Sequence, residues 1–267
     1  MLTWTNMTRP GDPYRTGQQL YRRPSPQLAA FTVTTPAGHG HSLPYSYAVV
    51  YLPLHRTRAV TVTEETVAFG FRTASIDDDD EVHALAAVAD LDLMQARRHA
   101  AILTGHALLA DISVLRTAGT AALRGLAAVG SAWADRAGSA RGMAVMIDTA
   151  EDLPGAGGVA GACGQASIRV CGGGACRCWQ GEQGGGEPVA GLVVGRALAI
   201  ALMCARHMDR YQWDGTLNIR RILAAHAWDC LPQPGPCDLS DATPPNTTGA
   251  SANPSASGQN LLAGRLS

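Results

Sequence analysis

The sequence predicts an α/β domain built on a mixed sheet, three antiparallel strands followed by alternating helices and strands, with helices flanking the sheet. Three observations carry this. Short β-branched and aromatic runs at 29–34, 45–53, 57–63 and 66–72 are separated by Pro, Gly, His or charged residues, the pattern of strands joined by tight connections. From about residue 80 the apolar spacing changes to that of helices. Between those helices lies Met143-Ala144-Val145-Met146-Ile147, an uninterrupted apolar run that suits a strand buried on both faces. Strands that alternate with helices favour a sheet with parallel members.

In chain order, residues 1–28 are polar and rich in Pro, Arg and Gln without periodicity, and 232–267 mix Pro, Ser, Thr, Asn and Gly; both ends are expected to be disordered. Residues 29–231 form the single domain, its meander spanning 45–72. The acidic run Asp77–Asp80 complements a helix N-terminus, and Val82, Leu85, Ala86, Ala89 and Leu93 follow at helical spacing, so a helix is expected over 80–99. A strand at 101–104, a helix from 108 and a helical stretch over 120–136 with Leu123, Leu126 and Trp133 come next. The apolar strand 143–147 should bury Val145 and Ile147 between helices. A Gly-rich insertion, 154–187, is expected to project from the body without contributing to the core. Helices over 188–209 and 216–227 complete the domain.

With 267 residues, of which 46% are apolar, the chain can bury one full core. The net charge of −1 offers no field for steering a polyanion and argues against a dedicated duplex binder. All 21 basic residues are Arg. Together with abundant Ala and Gly, this reads as GC-rich coding bias, and a local Arg patch leaves single-stranded nucleic acid open as a partner. The N-terminal residues show no signal-peptide pattern, and no window approaches the ~18 apolar residues that span a bilayer. The expectation is a cytoplasmic protein, without a membrane partner, whose cysteines stay reduced.

The most informative segment is Thr104-Gly105-His106-Ala107-Leu108-Leu109-Ala110-Asp111-Ile112-Ser113-Val114-Leu115: an apolar strand end, a Gly-His turn, and an acidic residue in the first turn of the next helix. An ordinary strand-to-helix junction would also place Asp111 there, because a helix N-terminus favours negative charge. A hydrogen bond stabilising the turn would likewise account for His106.

This segment and the element order resemble the RNase H-like fold of the DEDD-type 3′–5′ exonucleases. In that family four carboxylates hold two divalent metal ions that activate water and stabilise the leaving oxygen. Its second motif, a Gly-His turn and an inward Asp, matches Gly105, His106 and Asp111. Its first motif, Asp-x-Glu at the end of the first strand, falls on Tyr51 and Pro53 if that strand is Ala48–Pro53, and neither can ligate a hard cation. A shifted alignment would use Glu64 and Glu65. Its third motif, His-x-Ala-x-x-Asp-Ala, falls on Gly195–Ala201, where the base becomes Gly195 and the metal ligand Ile200. A buried amphipathic helix explains Ala197, Leu198, Ala201 and Leu202 equally well.

The resemblance thus implies a nuclease fold with its metal site largely erased: a catalytically impaired protein in a nucleic-acid-associated or protein-interaction role, with no cofactor. The alternative is an active exonuclease using Mg²⁺ or Mn²⁺ on a rearranged set of Glu64 or Glu65, Asp111, Asp148 and Asp209, with His106 at the turn. A third reading is a zinc-stabilised scaffold that contacts another protein through Cys163, Cys171, Cys176 and Cys178. Four thiolates are the number a tetrahedral site needs, but their Cys-x7-Cys-x4-Cys-x-Cys spacing differs from paired Cys-x-x-Cys ligands. The glycines from Gly155 begin too far beyond the preceding strand for a dinucleotide loop.

Overall fold

The computed structural model of the chain describes residues 1–7, 26–35, 43–55, 58–119, 122–134, 143–153, 158–170, 189–227 and 229–231. Its elements run β1 (Leu2–Thr5), β2 (Gln27–Thr34), β3 (Ser46–Pro53), β4 (Val60–Thr61), β5 (Gly70–Ser75), α1 (Val82–His99), β6 (Ile102–Gly105), α2 (Leu108–Ala118), α3 (Arg124–Ala134) and β7 (Val145–Asp148). They continue with α4 (Val159–Gln165), β8 (Ile168–Arg169), α5 (Val189–His207), β9 (Tyr211–Gln212), β10 (Leu217–Asn218) and α6 (Ile219–His226).

Six strands make one mixed sheet in the order β1-β5-β3-β2-β6-β7. β2, β3 and β5 pair antiparallel, and β6 and β7 extend the sheet parallel to β2. The first strand of the meander is therefore β2, one strand earlier than the sequence-based choice of 48–53. β4 leaves the meander altogether and pairs parallel with β9.

Alternating side chains of the central strands feed two cores. Ala29, Phe31, Val33, Tyr47, Val49 and Leu103 face α1, α2 and α3; Leu28, Ala30, Ala48, Val50, Ile102 and Ile147 face α4, α5 and α6. Because both faces are covered, β2 and β3 read as nearly continuous apolar runs. α5 runs beneath the sheet and is apolar all round, as a helix enclosed by protein must be. Its window Ala190–His207 has a mean hydropathy of 1.4 and, contrary to expectation, is long and apolar enough to cross a membrane, yet 78% of it is buried inside the protein.

Buried polar groups fasten α1 to its neighbours. Asp92 accepts from Tyr47 Oη at 2.7 Å and pairs with Arg72 at 3.0 Å, tying the helix to β3 and β5. Asp90 accepts from the Leu126 amide at 2.7 Å and so satisfies the N-terminus of α3. Asp78 caps the short turn Asp79–Glu81 that leads into α1, as the acidic run suggested.

Three expectations are corrected. Residues 1–7 are not part of a disordered leader: β1 pairs with β5, and the Asn6 side chain bonds both Phe69 O and Phe71 N. Residues 8–25 and 232–267 lie outside the described residues. The stretch 154–187 is no mere projection, because α4 and β8 lie inside it and place Val159, Ala162, Cys163 and Ile168 in the α5 core. Glycine content concealed four core side chains. Finally, Ile147 is buried but Val145 is 48% exposed, since β7 is the edge strand and its first residue lies outside the helical cover. Val145→Asp should therefore fold, with a stability change within about 1 kcal/mol in urea unfolding, as for an exposed site. Loss of cooperative unfolding in that variant would show that Val145 packs inside.

Candidate functional site

In an open sheet with parallel members, ligands bind beyond the carboxyl ends of the strands, where neighbouring connections leave in opposite directions. Here that place lies between β2, which turns back into antiparallel β3, and β6, which is parallel to β2. The Gly105-His106 turn, Asp111, Asp148 and Thr149 all gather there.

The turn is built tightly. A Cβ on Gly105 would come within 2.8 Å of Leu108 Cβ, so only glycine lets α2 start immediately after β6. Ala107 takes a left-handed conformation at φ 58°, a position that costs an L-residue about 1–2 kcal/mol. Asp148 holds it there from the end of β7, directly opposite Gly105. Its carboxylate accepts from the amides of Ala107 at 2.8 Å, Leu108 at 3.1 Å and Ala150 at 2.9 Å. Asp148 thus serves the otherwise unpaired amides at the start of α2, as an N-cap does but from another strand.

His106 is buried, with Nδ1 3.0 Å from Thr149 Oγ1. That hydroxyl donates its single hydrogen to Gly105 O at 3.0 Å, which makes Nδ1 the donor to Thr149. The contact closes the turn against β7.

Asp111 lies one turn into α2, and its Oδ2 accepts from the Val33 amide at 3.0 Å, bridging α2 to the end of β2. Burial raises its carboxyl to about 7; Arg196 on α5, the Val33 amide and the Thr32 hydroxyl lower it, and Asp148 raises it further. Of the proposed carboxylate set, the structure brings together only Asp111 and Asp148. Glu64 instead accepts from the Asn218 amide at 2.8 Å and meets Arg221 at 3.4 Å, so it serves the N-terminus of α6. Glu65 is exposed and bonded to Thr63, and Asp209 is exposed in the turn after α5.

Among the described residues no three His, Cys, Asp or Glu side chains are grouped to hold a metal ion. The cation beside Asp111 is Arg196. These residues do not supply the ligands that a pair of divalent metals requires. Cys163 is a core residue of α4, its thiol pushed up to about 12 by burial. Cys171, Cys176 and Cys178 lie outside the described residues.

Sequence reasoning overlooked Arg196, Thr32 and Thr149. Their signals were weak: one charge in the apolar run of α5, one polar residue in the apolar run of β2, and a hydroxyl following Asp148. No family model, curated protein or solved structure matches the chain.

Proposed function

We propose that this chain is an exonuclease-like domain that has lost the carboxylate set for phosphodiester cleavage and works by contact, with single-stranded nucleic acid or a protein partner. The fold reading behind it is RNase H-like. Its support is a meander that begins at the central strand β2, followed by β6 and β7 parallel to β2 on the far side.

The observation that carries the proposal is the hydrogen bond from the Val33 amide to Asp111 Oδ2 at 3.0 Å. It joins the one matched carboxylate to the end of the first strand, where the family's Asp-x-Glu belongs. With β2 as the first strand, that motif falls on Thr32-Val33-Thr34, so two hydroxyls stand where carboxylates would hold metal. A neutral hydroxyl is a far poorer ligand for Mg²⁺ than a carboxylate. The third-motif segment on α5 supplies Gly195 and Ile200 and brings Arg196 near Asp111.

The expected result is that purified protein with Mg²⁺ or Mn²⁺ leaves 5′-labelled single-stranded DNA and RNA full length, at the rate of a no-protein control. Metal-dependent shortening that disappears in Asp111→Asn would overturn the loss of catalysis and favour the rearranged, active set.

A further inference from the structure

Where α2 gives way to α3, the surface folds into a cavity of about 310 Å³ lined by Arg116, Ala122, Leu123, Arg124 and Ala127. Local sequence shapes it. Gly119 follows α2, and a Cβ there would collide with Leu123, so the glycine lets Leu123 lie against the end of that helix. Leu123 is half-buried and packs on the core beneath α2 and α3. The Ala127 amide donates to Leu123 O at 3.0 Å, which sets these two residues one turn apart on the same wall. That wall is apolar, and the charged members of the lining, Arg116 and Arg124, are both exposed.

Neither guanidinium makes a hydrogen bond or an ion pair with a described residue, and no acidic side chain lines the cavity. Arg116 suits its place in the last turn of α2, where the helix dipole favours a cation. Arg124 does not suit its own. It is the first residue of α3, whose first turn holds no acid, and a helix N-terminus disfavours positive charge. Asp90 serves that N-terminus, but its carboxylate is buried, bonded to the Leu126 amide and absent from the lining. Two like charges thus border one concave space, which draws anions to it.

Volume and lining select among anions. The cavity lies at the small end of the roughly 300–1,000 Å³ typical of small-molecule sites, so a bare oxyanion would leave the apolar wall uncovered. A carboxylate brings one negative charge for two cations. A phosphate monoester brings about −1.5 to −2 near neutral pH and three acceptor oxygens, enough for both guanidinium forks. Its organic body would cover Ala122, Leu123 and Ala127, and guanidinium planes stack on aromatic rings.

We propose that the cavity between α2 and α3 binds a phosphate monoester with an aromatic body, of which a mononucleotide is the simplest, through Arg116 and Arg124. Two sources carry that chemistry, a free mononucleotide and the 5′-phosphorylated end of a strand. The site lies at the opposite end of α2 from Asp111 and needs no metal, so it stands apart from the exonuclease-like reading.

The test is calorimetric titration of the full chain at low salt in EDTA with deoxyadenosine 5′-monophosphate, deoxyadenosine, inorganic phosphate, and a short oligodeoxyadenylate bearing a 5′-phosphate or a 5′-hydroxyl. The monophosphate should bind at least about tenfold more tightly than the nucleoside or phosphate alone. Arg116→Gln and Arg124→Gln should each weaken binding about tenfold, as loss of a charge-assisted hydrogen bond predicts. Ala127→Glu, which places a carboxylate on the exposed apolar wall, should abolish it. Arg169→Gln should leave it unchanged, because Arg169 is exposed on β8, beside the α5 core on the other face of the sheet. Tighter binding of the 5′-phosphorylated strand than of either the mononucleotide or the 5′-hydroxyl strand assigns the site to a strand end; equal or weaker binding assigns it to the free mononucleotide. The site is overturned if neither phosphorylated ligand binds, if inorganic phosphate binds as tightly as the monophosphate, or if Arg169→Gln weakens binding as much as Arg116→Gln. Nuclease assays read the other proposal separately.

Discussion

Asp148→Ala is expected to lose about 3 kcal/mol or more of stability, because it leaves the buried amide of Leu108 and the part-buried amides of Ala107 and Ala150 without their acceptor, at roughly 1 kcal/mol or more each. Those amides belong to Ala107, Leu108 and Ala150, so the loss falls at the junction that sets the start of α2 and holds the left-handed Ala107. Asp148→Asn should recover part of the loss, since its one carbonyl oxygen still accepts while its amide nitrogen cannot. Asp214→Ala serves as the exposed reference and should stay within about 0.5 kcal/mol. Urea unfolding of the three variants checks this. A loss below about 1 kcal/mol for Asp148→Ala would mean that other groups cap α2.

The second large effect is a fall in stability as pH rises from about 4 to 7. Asp111 is raised to about 7 and Asp92 is also raised, each chiefly by burial. In the unfolded chain both return to the ordinary carboxyl range near ~4. Between these values the folded state binds more protons than the unfolded state, so protonation stabilises the fold at low pH and the gain is lost as pH climbs through 7. For Asp111 the difference is on the order of 2–3 kcal/mol, reduced from the full shift because part of the residue touches solvent. Asp111→Asn keeps an acceptor for the Val33 amide and cannot ionise. Its unfolding free energy should match the parent at pH 4, exceed it at pH 8, and vary less between them. A parent whose stability rises across this window, with no flattening in Asp111→Asn, would place the Asp111 carboxyl in water.

These effects show where sequence reasoning reached and where it stopped. The helices α1, α2, α5 and α6 and the strands β2, β3, β6 and β7 were legible because local apolar spacing and end signals such as Asp77–Asp80 act within a few residues of where they are written. Asp111 was legible for the same reason, as an acidic residue in a first helical turn.

What sequence alone determined was therefore which of these segments become helix or strand, and that the chain carries enough apolar residues to bury a core; that the sheet divides it into two was decided by the tertiary structure. Only the tertiary structure decided that β2 and not β3 opens the meander, that α4 belongs to the core despite its glycines, and that Val145 lies at an open edge. Register and strand order depend on pairing between residues far apart in the chain, such as Ala30 beside Thr104 and Gly105 beside Asp148. The same holds for the candidate site. Asp148 on α2's first amides, Asp111 on Val33, and Arg196 near both Asp111 and Cys163 are meetings of side chains on separate elements. Local periodicity carries no information about them; burial and hydrogen bonding in the assembled sheet do.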